Sequence, residues 1–191
     1  YKIASRTEDN KSLFDIIQNA LDETLKATTQ LYVLYDNAGK LTLSNIGNMK
    51  LGLVINEDTA GDYDYKSSIA NNTYNKIRLF REGSDPVTVK SSGTIMQWGV
   101  LQYAEKVNDD STNLNNMAAS LLKLYNTKTR TLSVKNVLGD TRVRAGTLLV
   151  VILGLGDMNV SNFMLVESVK HSFKDGQHLM ELKLRGGTFV T

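Results

Sequence analysis

The imidazole complement of this 191-residue chain is two histidines, His171 and His178, on either side of Lys174-Asp175-Gly176-Gln177. That tetrapeptide has the composition of a tight hairpin turn. If Phe173 faces His178 across the turn, His171 lies diagonal to His178 on the same sheet face. Diagonal neighbours stand ~7 Å apart, near enough to share a metal ion if a third ligand came from elsewhere. The sequence offers no third ligand at a recognisable spacing. The expectation is therefore two strand histidines on a partly exposed face, with no metal.

A second set of residues has the types needed for glycoside hydrolysis. Glu105, Asp109 and Asp110 follow Trp98, and that chemistry needs two carboxyls about 5 to 9.5 Å apart across a sugar on which an indole could stack. A helix cap and a surface charge cluster explain the same carboxylates, and a lone tryptophan serves equally as a core anchor. Four more carboxylates, Glu57, Asp58, Asp62 and Asp64, fall within eight residues. No glutamate closes that stretch as an EF-hand calcium loop requires, so a solvated loop is expected.

Other chemistries lack their residues. With no cysteine there is no thiol nucleophile, cysteine zinc site or disulfide. No Gly-x-Ser-x-Gly elbow occurs. Gly154-Leu155-Gly156-Asp157 lacks the third glycine and following helix of a phosphate loop, and reads as the turn that ends a strand. Arg142 and Arg144 flank Val143, so an extended backbone would aim both at one face, towards an acidic partner or a nucleic-acid backbone. Without interleaved aromatics, a salt-linked structural role is the expectation. The sequence thus assigns no catalytic, cofactor-binding or metal-binding residue.

Charge is spread evenly: 11 Lys and Arg face 12 Asp and Glu in residues 1–100, and 11 face 8 in residues 101–191. This is not the basic stripe of a nucleic-acid binder. The longest aliphatic run, Leu148–Leu153, is six residues, against the roughly 20 needed for a membrane-spanning helix. Neither specific nucleic acid nor membrane is expected as a partner.

The elements that carry these residues follow from periodicity. Ser12 can cap a helix, with Asp15 three residues on, and Leu13, Ile16, Ile17, Ala20, Leu21 and Leu25 give its apolar stripe. A hairpin follows, Leu31–Tyr35 returning as Lys40–Leu43 through Asp36-Asn37-Ala38-Gly39. Helix and hairpin form a small unit over residues 1–48. The remainder, 49–191, reads as a strand-rich domain with about six strands and one helix after Tyr74. Leu51, Leu53 and Ile55 alternate like a strand, and residues 57–65 read as an exposed loop. Lys76–Arg81, Val87–Lys90 and Thr131–Val137 are further strands. The helix, 111–126, carries Leu114, Met117, Ala118, Leu121, Leu122 and Tyr125 on one face, capped by Asp110, Ser111 or Thr112. Leu148–Leu153 does not alternate, which predicts burial on both faces. Phe163–Phe173 and His178–Leu184 form the last hairpin. The class is α+β.

Several of these stretches carry a resemblance in their order and spacing. They are Ser12–Ile17 with the hairpin around Tyr32–Asp36 and Gly39–Leu41, then Ser68-Ile69 with Tyr74–Ile77. The third is Gln97-Trp98-Gly99-Val100-Leu101-Gln102 followed by the helix ending Leu121-Leu122-Lys123-Leu124 and by Leu138-Gly139-Asp140 to Val143-Arg144-Ala145-Gly146. Together they resemble the XkdQ/YqbQ-type tail proteins of phages and phage-derived particles with contractile tails. The resemblance implies a tail-tube-like antiparallel β-barrel with one packed helix after the small domain. It also implies a non-enzymatic baseplate hub joining tail tube to spike, made in the bacterial cytoplasm and resident in the virion or tail-like particle. Tube and spike proteins would be its partners, and the full-length protein would form a homotrimer. Family members extend further at the N-terminus, so a first barrel domain is expected before Tyr1, and the chain alone is expected to be monomeric at low concentration. A tail-associated peptidoglycan hydrolase and a cell-wall carbohydrate-binding module using Trp98 are the alternatives.

Overall fold

The computed structural model describes residues 1–108, 110, 112–155 and 158–186. In chain order, helix α1 (Leu13–Thr28) precedes β1 (Tyr32–Asn37), β2 (Lys40–Asn45), a 3-10 turn (Ile46–Asn48), β3 (Lys50–Asn56) and β4 (Tyr63–Ser68). Next come β5 (Lys76–Phe80), β6 (Val87–Lys90), α2 (Ser92–Trp98), β7 (Gln102–Lys106) and α3 (Leu114–Tyr125). Last are β8 (Thr129–Leu138), β9 (Leu148–Leu155), β10 (Met158–Lys174) and β11 (Gln177–Gly186). The chain is α+β, as expected.

Its contacts gather into two compact units, each made of two segments: Tyr1–Leu31 with Ile69–Thr127, and Tyr32–Ser68 with Lys128–Thr191. This grouping differs from the expected partition into 1–48 and 49–191. The physical reason is long-range strand pairing: β3 lies parallel to β9 and β4 antiparallel to β8, which gathers the segment between residues 32 and 68 with the C-terminal strands.

In the first unit, β5 is the middle strand of three, antiparallel to β6 and parallel to β7. Ile77 and Leu79 on its inner face pack with Leu114, Ala118 and Leu121 of α3. Helix α1 lies on α3. It begins at the expected capping box, in which the Asp15 N–H donates to Ser12 Oγ at 3.2 Å and the Ser12 N–H donates to Asp15 Oδ2 at 3.1 Å. The cap of α3 is Asn113, whose Oδ1 accepts from the Asn116 N–H at 3.1 Å. The helix therefore starts at Leu114, three residues after the expected start at 111. Strand β7 has no counterpart among the expected strands, because Glu105 occupies one of its two inward positions and breaks the apolar alternation.

The second unit holds the β1–β2 hairpin and a curled six-stranded sheet, a half-barrel, in the order β3-β9-β10-β11-β8-β4. All its pairs are antiparallel except β3 with β9. Tyr63–Tyr65, expected in a loop, belongs to β4 and pairs with β8. The core is drawn from one face: Leu132 and Val134 of β8, Leu149, Val151 and Leu153 of β9, Met164 and Val166 of β10, and Met180, Leu182 and Leu184 of β11. On the other face of β9, Leu148 is buried, Val150 half-buried and Ile152 47% exposed. Burial on both faces thus holds only where the strand begins.

Two bulges change which residues face the core. In β10, Val166 pairs with Leu184 but Ser168 with Lys183, so Glu167 is an extra residue. In β8, Val134 pairs with Leu182 but Val137 with Met180, which leaves Lys135 and Asn136 opposite Glu181. Asn136 takes the positive φ of 57° that such an insertion favours. Before the bulges Leu132, Val134, Met164 and Val166 face inward; after them the odd-numbered Val137 and Val169 do. The β10 bulge is what turns His171 to the core face of the sheet.

Candidate functional site

The register places Phe173 opposite His178 and His171 opposite Met180, so the two histidines are diagonal neighbours as expected. The turn between them is Asp175-Gly176, with φ of 51° and 74°, the positive pair of a two-residue hairpin turn. Both are half-buried, at the end of the core face, beneath the segment that joins β8 to β9. His171 Nδ1 lies 2.9 Å from His178 Nε2, and His171 Nε2 lies 2.9 Å from the carbonyl of Val143. A carbonyl only accepts, so His171 carries its proton on Nε2 and its Nδ1 accepts from the Nε2–H of His178. The Phe173 ring stacks on His178 with centroids 4.1 Å apart and planes at 19°.

The joining segment is fitted to these rings. The Gly139 N–H donates to the His178 carbonyl at 2.8 Å, and a Cβ on Gly139 would stand 2.0 Å from His178 Cγ. Val143 is buried in the core. The Arg144 guanidinium stacks over the Tyr35 ring at 4.8 Å, and Gly146, at φ 91°, approaches Val33 so closely that a Cβ would lie 2.7 Å from its methyl. The segment is a series of turns and not an extended strand, so Arg142 and Arg144 do not share a sheet face. Arg142 instead folds back on Asp140, its Nη2 at 2.6 Å from Oδ2. That ion pair and the Arg142 backbone N–H hold the Asp140 carboxyl at about 2. Beside His171 opens a shallow cavity of about 490 Å³, bounded by Tyr35, Asp36, Val143, Arg144 and Glu167.

The carboxylates considered for hydrolysis lie in the other unit. Glu105 Oε1 accepts from Lys26 Nζ at 2.7 Å and Oε2 from the Tyr103 hydroxyl at 2.7 Å. Burial first, and then the bond to Glu105, push the Tyr103 hydroxyl well above the ordinary phenol range. Tyr103 meets Tyr74 and Tyr125 in a three-ring cluster with centroids 5.3 to 5.6 Å apart. Asp110 is exposed, 3.5 Å from Arg81, and Asp109 lies outside the described residues. Trp98, half-buried, ends α2. Glu105 also borders a cleft of about 620 Å³ with Glu8, Glu23, Arg6 and Lys11, where Arg6 pairs with both Glu8 and Glu23 and Lys11 with Glu8. Glu8, Glu23 and Glu105 are thus already matched to bases, and Asp22, also on the cleft, accepts from the Gln18 amide at 2.9 Å.

Among the described residues no three His, Asp or Glu side chains gather as a metal site would require. In the acidic stretch Asp64 pairs with Lys66 at 3.2 Å, and the Asp62 carbonyl accepts from the Lys135 N–H. Of the turn expected at 154–157, Gly154 and Leu155 belong to β9, and residues 156 and 157 lie outside the described residues. No described helix is long and apolar enough to cross a membrane. Sequence reasoning missed Asn75, which is fully buried and binds the bend after Trp98. Its one signal was an amide side chain placed just ahead of an apolar strand.

This architecture is shared with phage tail proteins of known structure. The prophage tail protein gp18 of Listeria monocytogenes EGD-e matches 93% of this chain and 53% of its own length, with a TM-score of 0.54 and 16% identity. The 43 kDa tail protein of prophage MuSo2 from Shewanella oneidensis matches 94% and 54%, with a TM-score of 0.61 and 16% identity. At sequence level the YQBQ-like family model matches residues 1–185, and the chain belongs to that family. YqbQ and the phage-like element PBSX protein XkdQ, both of Bacillus subtilis strain 168, are each 28% identical to it over 186 residues. Those residues are 92% of this chain and 55% of each relative, so the chain spans about half their length.

Proposed function

We propose that this chain is a structural component of a phage tail or tail-like particle, and within it part of a baseplate hub joining tail tube to spike. The observation that carries the reading is the fold, shared over more than nine-tenths of the chain with prophage tail proteins. Membership of the family that includes XkdQ of a phage-like element supports it. Its partners are then the tube and spike proteins, and the full-length protein assembles as a trimer in the particle.

The reading is non-enzymatic. Glu105 is supported as a structural anion by its two engaged oxygens, one on Lys26 and one on Tyr103. Both oxygens are committed to partners within the same unit, as a structural role requires. Incubation of the purified chain with peptidoglycan tests this, with release of reducing ends as the readout. No release above the buffer control is expected. Release abolished by Glu105→Gln would establish a hydrolase instead, and saturable glycan binding lost in Trp98→Ala would establish a carbohydrate-binding module.

A further inference from the structure

We propose that His171 and His178 form an acid-released latch on the segment 139–146, and through it on the β1–β2 hairpin. The latch has two points of attachment. His171 holds the Val143 carbonyl through Nε2, and His178 backs Gly139 with a ring that leaves no room for a Cβ. The inter-ring bond at 2.9 Å fixes both rings together.

Proton counting sets the behaviour. With both rings neutral, His178 donates from Nε2 to the bare Nδ1 of His171. One added proton, taken at His178 Nδ1, leaves that bond intact and places a cation against the face of Phe173, a favourable arrangement. A second proton has to enter at His171 Nδ1. Two N–H groups then point at each other 2.9 Å apart, on two cationic rings whose centroids are 5.1 Å apart. The rings must separate, and His171 leaves the Val143 carbonyl. Imidazole is the side chain whose charge ordinarily changes under mild acid, which makes this pair the natural trigger.

The charged and titratable groups around the pair come from three elements. Asp140 of the segment, paired with Arg142, stands beside His178; Tyr35 and Asp36 of β1, with Arg144 and Glu167, border the cavity at His171. Asp140 stays ionised down to about pH 2, so it does not supply the response under milder acid. Release has a defined consequence because the segment seats the hairpin. Arg144 lies on Tyr35 and Gly146 against Val33, so both contacts loosen together.

The experiment is NMR of the isotopically labelled chain between pH 8 and pH 4. At pH 8 both rings should show the Nε2–H tautomer; an Nδ1–H tautomer on His171 would overturn the assignment. On acidification, exchange protection at the Gly139, Val143 and Gly146 amides should fall at least tenfold in step with the second ring protonation. The amides of β8 and β11 outside the latch should keep theirs. Protection that stays constant, or that falls uniformly through the sheet, would refute the latch. In the His171→Gln, His178→Gln double variant the local response should vanish, and its persistence would assign it to carboxylates instead. The wild-type tautomers and titration decide the matter even if that variant does not fold.

Discussion

Asn75 and Leu101 grip each other through two hydrogen bonds. The Asn75 backbone N–H donates to the Leu101 carbonyl at 2.9 Å, and the Leu101 N–H donates to Asn75 Oδ1 at 2.8 Å. The same carboxamide donates from Nδ2 to the Gly99 carbonyl at 2.7 Å, and the Asn75 carbonyl accepts from the Ser91 N–H at 2.9 Å. One fully buried side chain thereby satisfies the bend after Trp98, where Gly99 takes a φ of 75°. It also starts β7 alongside β5.

Asn75→Ala should therefore be costly out of proportion to its size. It leaves the half-buried Leu101 N–H and the carbonyl of the exposed Gly99 without their partner, and water replaces part of what is lost, so a loss of about 1–3 kcal/mol is expected. Urea unfolding followed by the fluorescence of Trp98 measures it within the same unit. A loss below about 1 kcal/mol would mean that water satisfies the bend.

Neighbouring positions of β9 should respond very differently to charge. Val151 is 2% exposed and Ile152 47%. Val151→Asp should cost several kcal/mol, since an unpaired carboxylate enters the core of the sheet, while Ile152→Asp should cost about 1 kcal/mol or less. Thermal melts of the two variants provide the comparison, and equal shifts would contradict the assigned faces.

At Gly139 a single methyl group should be felt through the latch. The His178 ring is held by His171 on one side and Phe173 on the other, so it cannot swing clear of a new Cβ. Gly139→Ala should destabilise by about 1–3 kcal/mol, as overpacking does. In a His178→Ala background the same change should cost almost nothing. A double-mutant cycle with no coupling would show that the ring does not press on this glycine.

Much of this was legible in the sequence where the interaction is local. Ser12 and Asp15 announce α1 because a capping box spans four residues, and Asp175-Gly176 fixes the register that sets Phe173 opposite His178. Parity was harder. The extra residue at Glu167 and the pair Lys135-Asn136 reverse the inward face midway along β10 and β8, and nothing in the alternation marks them. That is why nothing marked His171 as lying on the core side of the sheet. The pairing of β3 with β9, nearly a hundred residues apart, left no local trace, nor did the fit of Gly139 and Val143 to the two rings. β7 stayed hidden because its inward Glu105 is charged, its companion Lys26 lying far away in sequence.

Acid stability should show the Asp140–Arg142 pair. The folded carboxyl titrates at about 2, below the ordinary aspartate value, so its contribution is present above about pH 4. That contribution is lost as the pH falls towards 2. Arg142→Ala should return the Asp140 carboxyl, followed by carbon NMR, towards the ordinary range and remove that part of the acid dependence. An unchanged titration would leave the depression without its cause.

The central claim is a position in a particle, and a cryo-electron microscopy map of the assembled tail containing the full-length protein tests it most directly. The account predicts that density at the junction of tube and spike accepts the two units described here, with threefold symmetry. Density for this chain elsewhere in the particle, or none in it, would contradict the hub assignment.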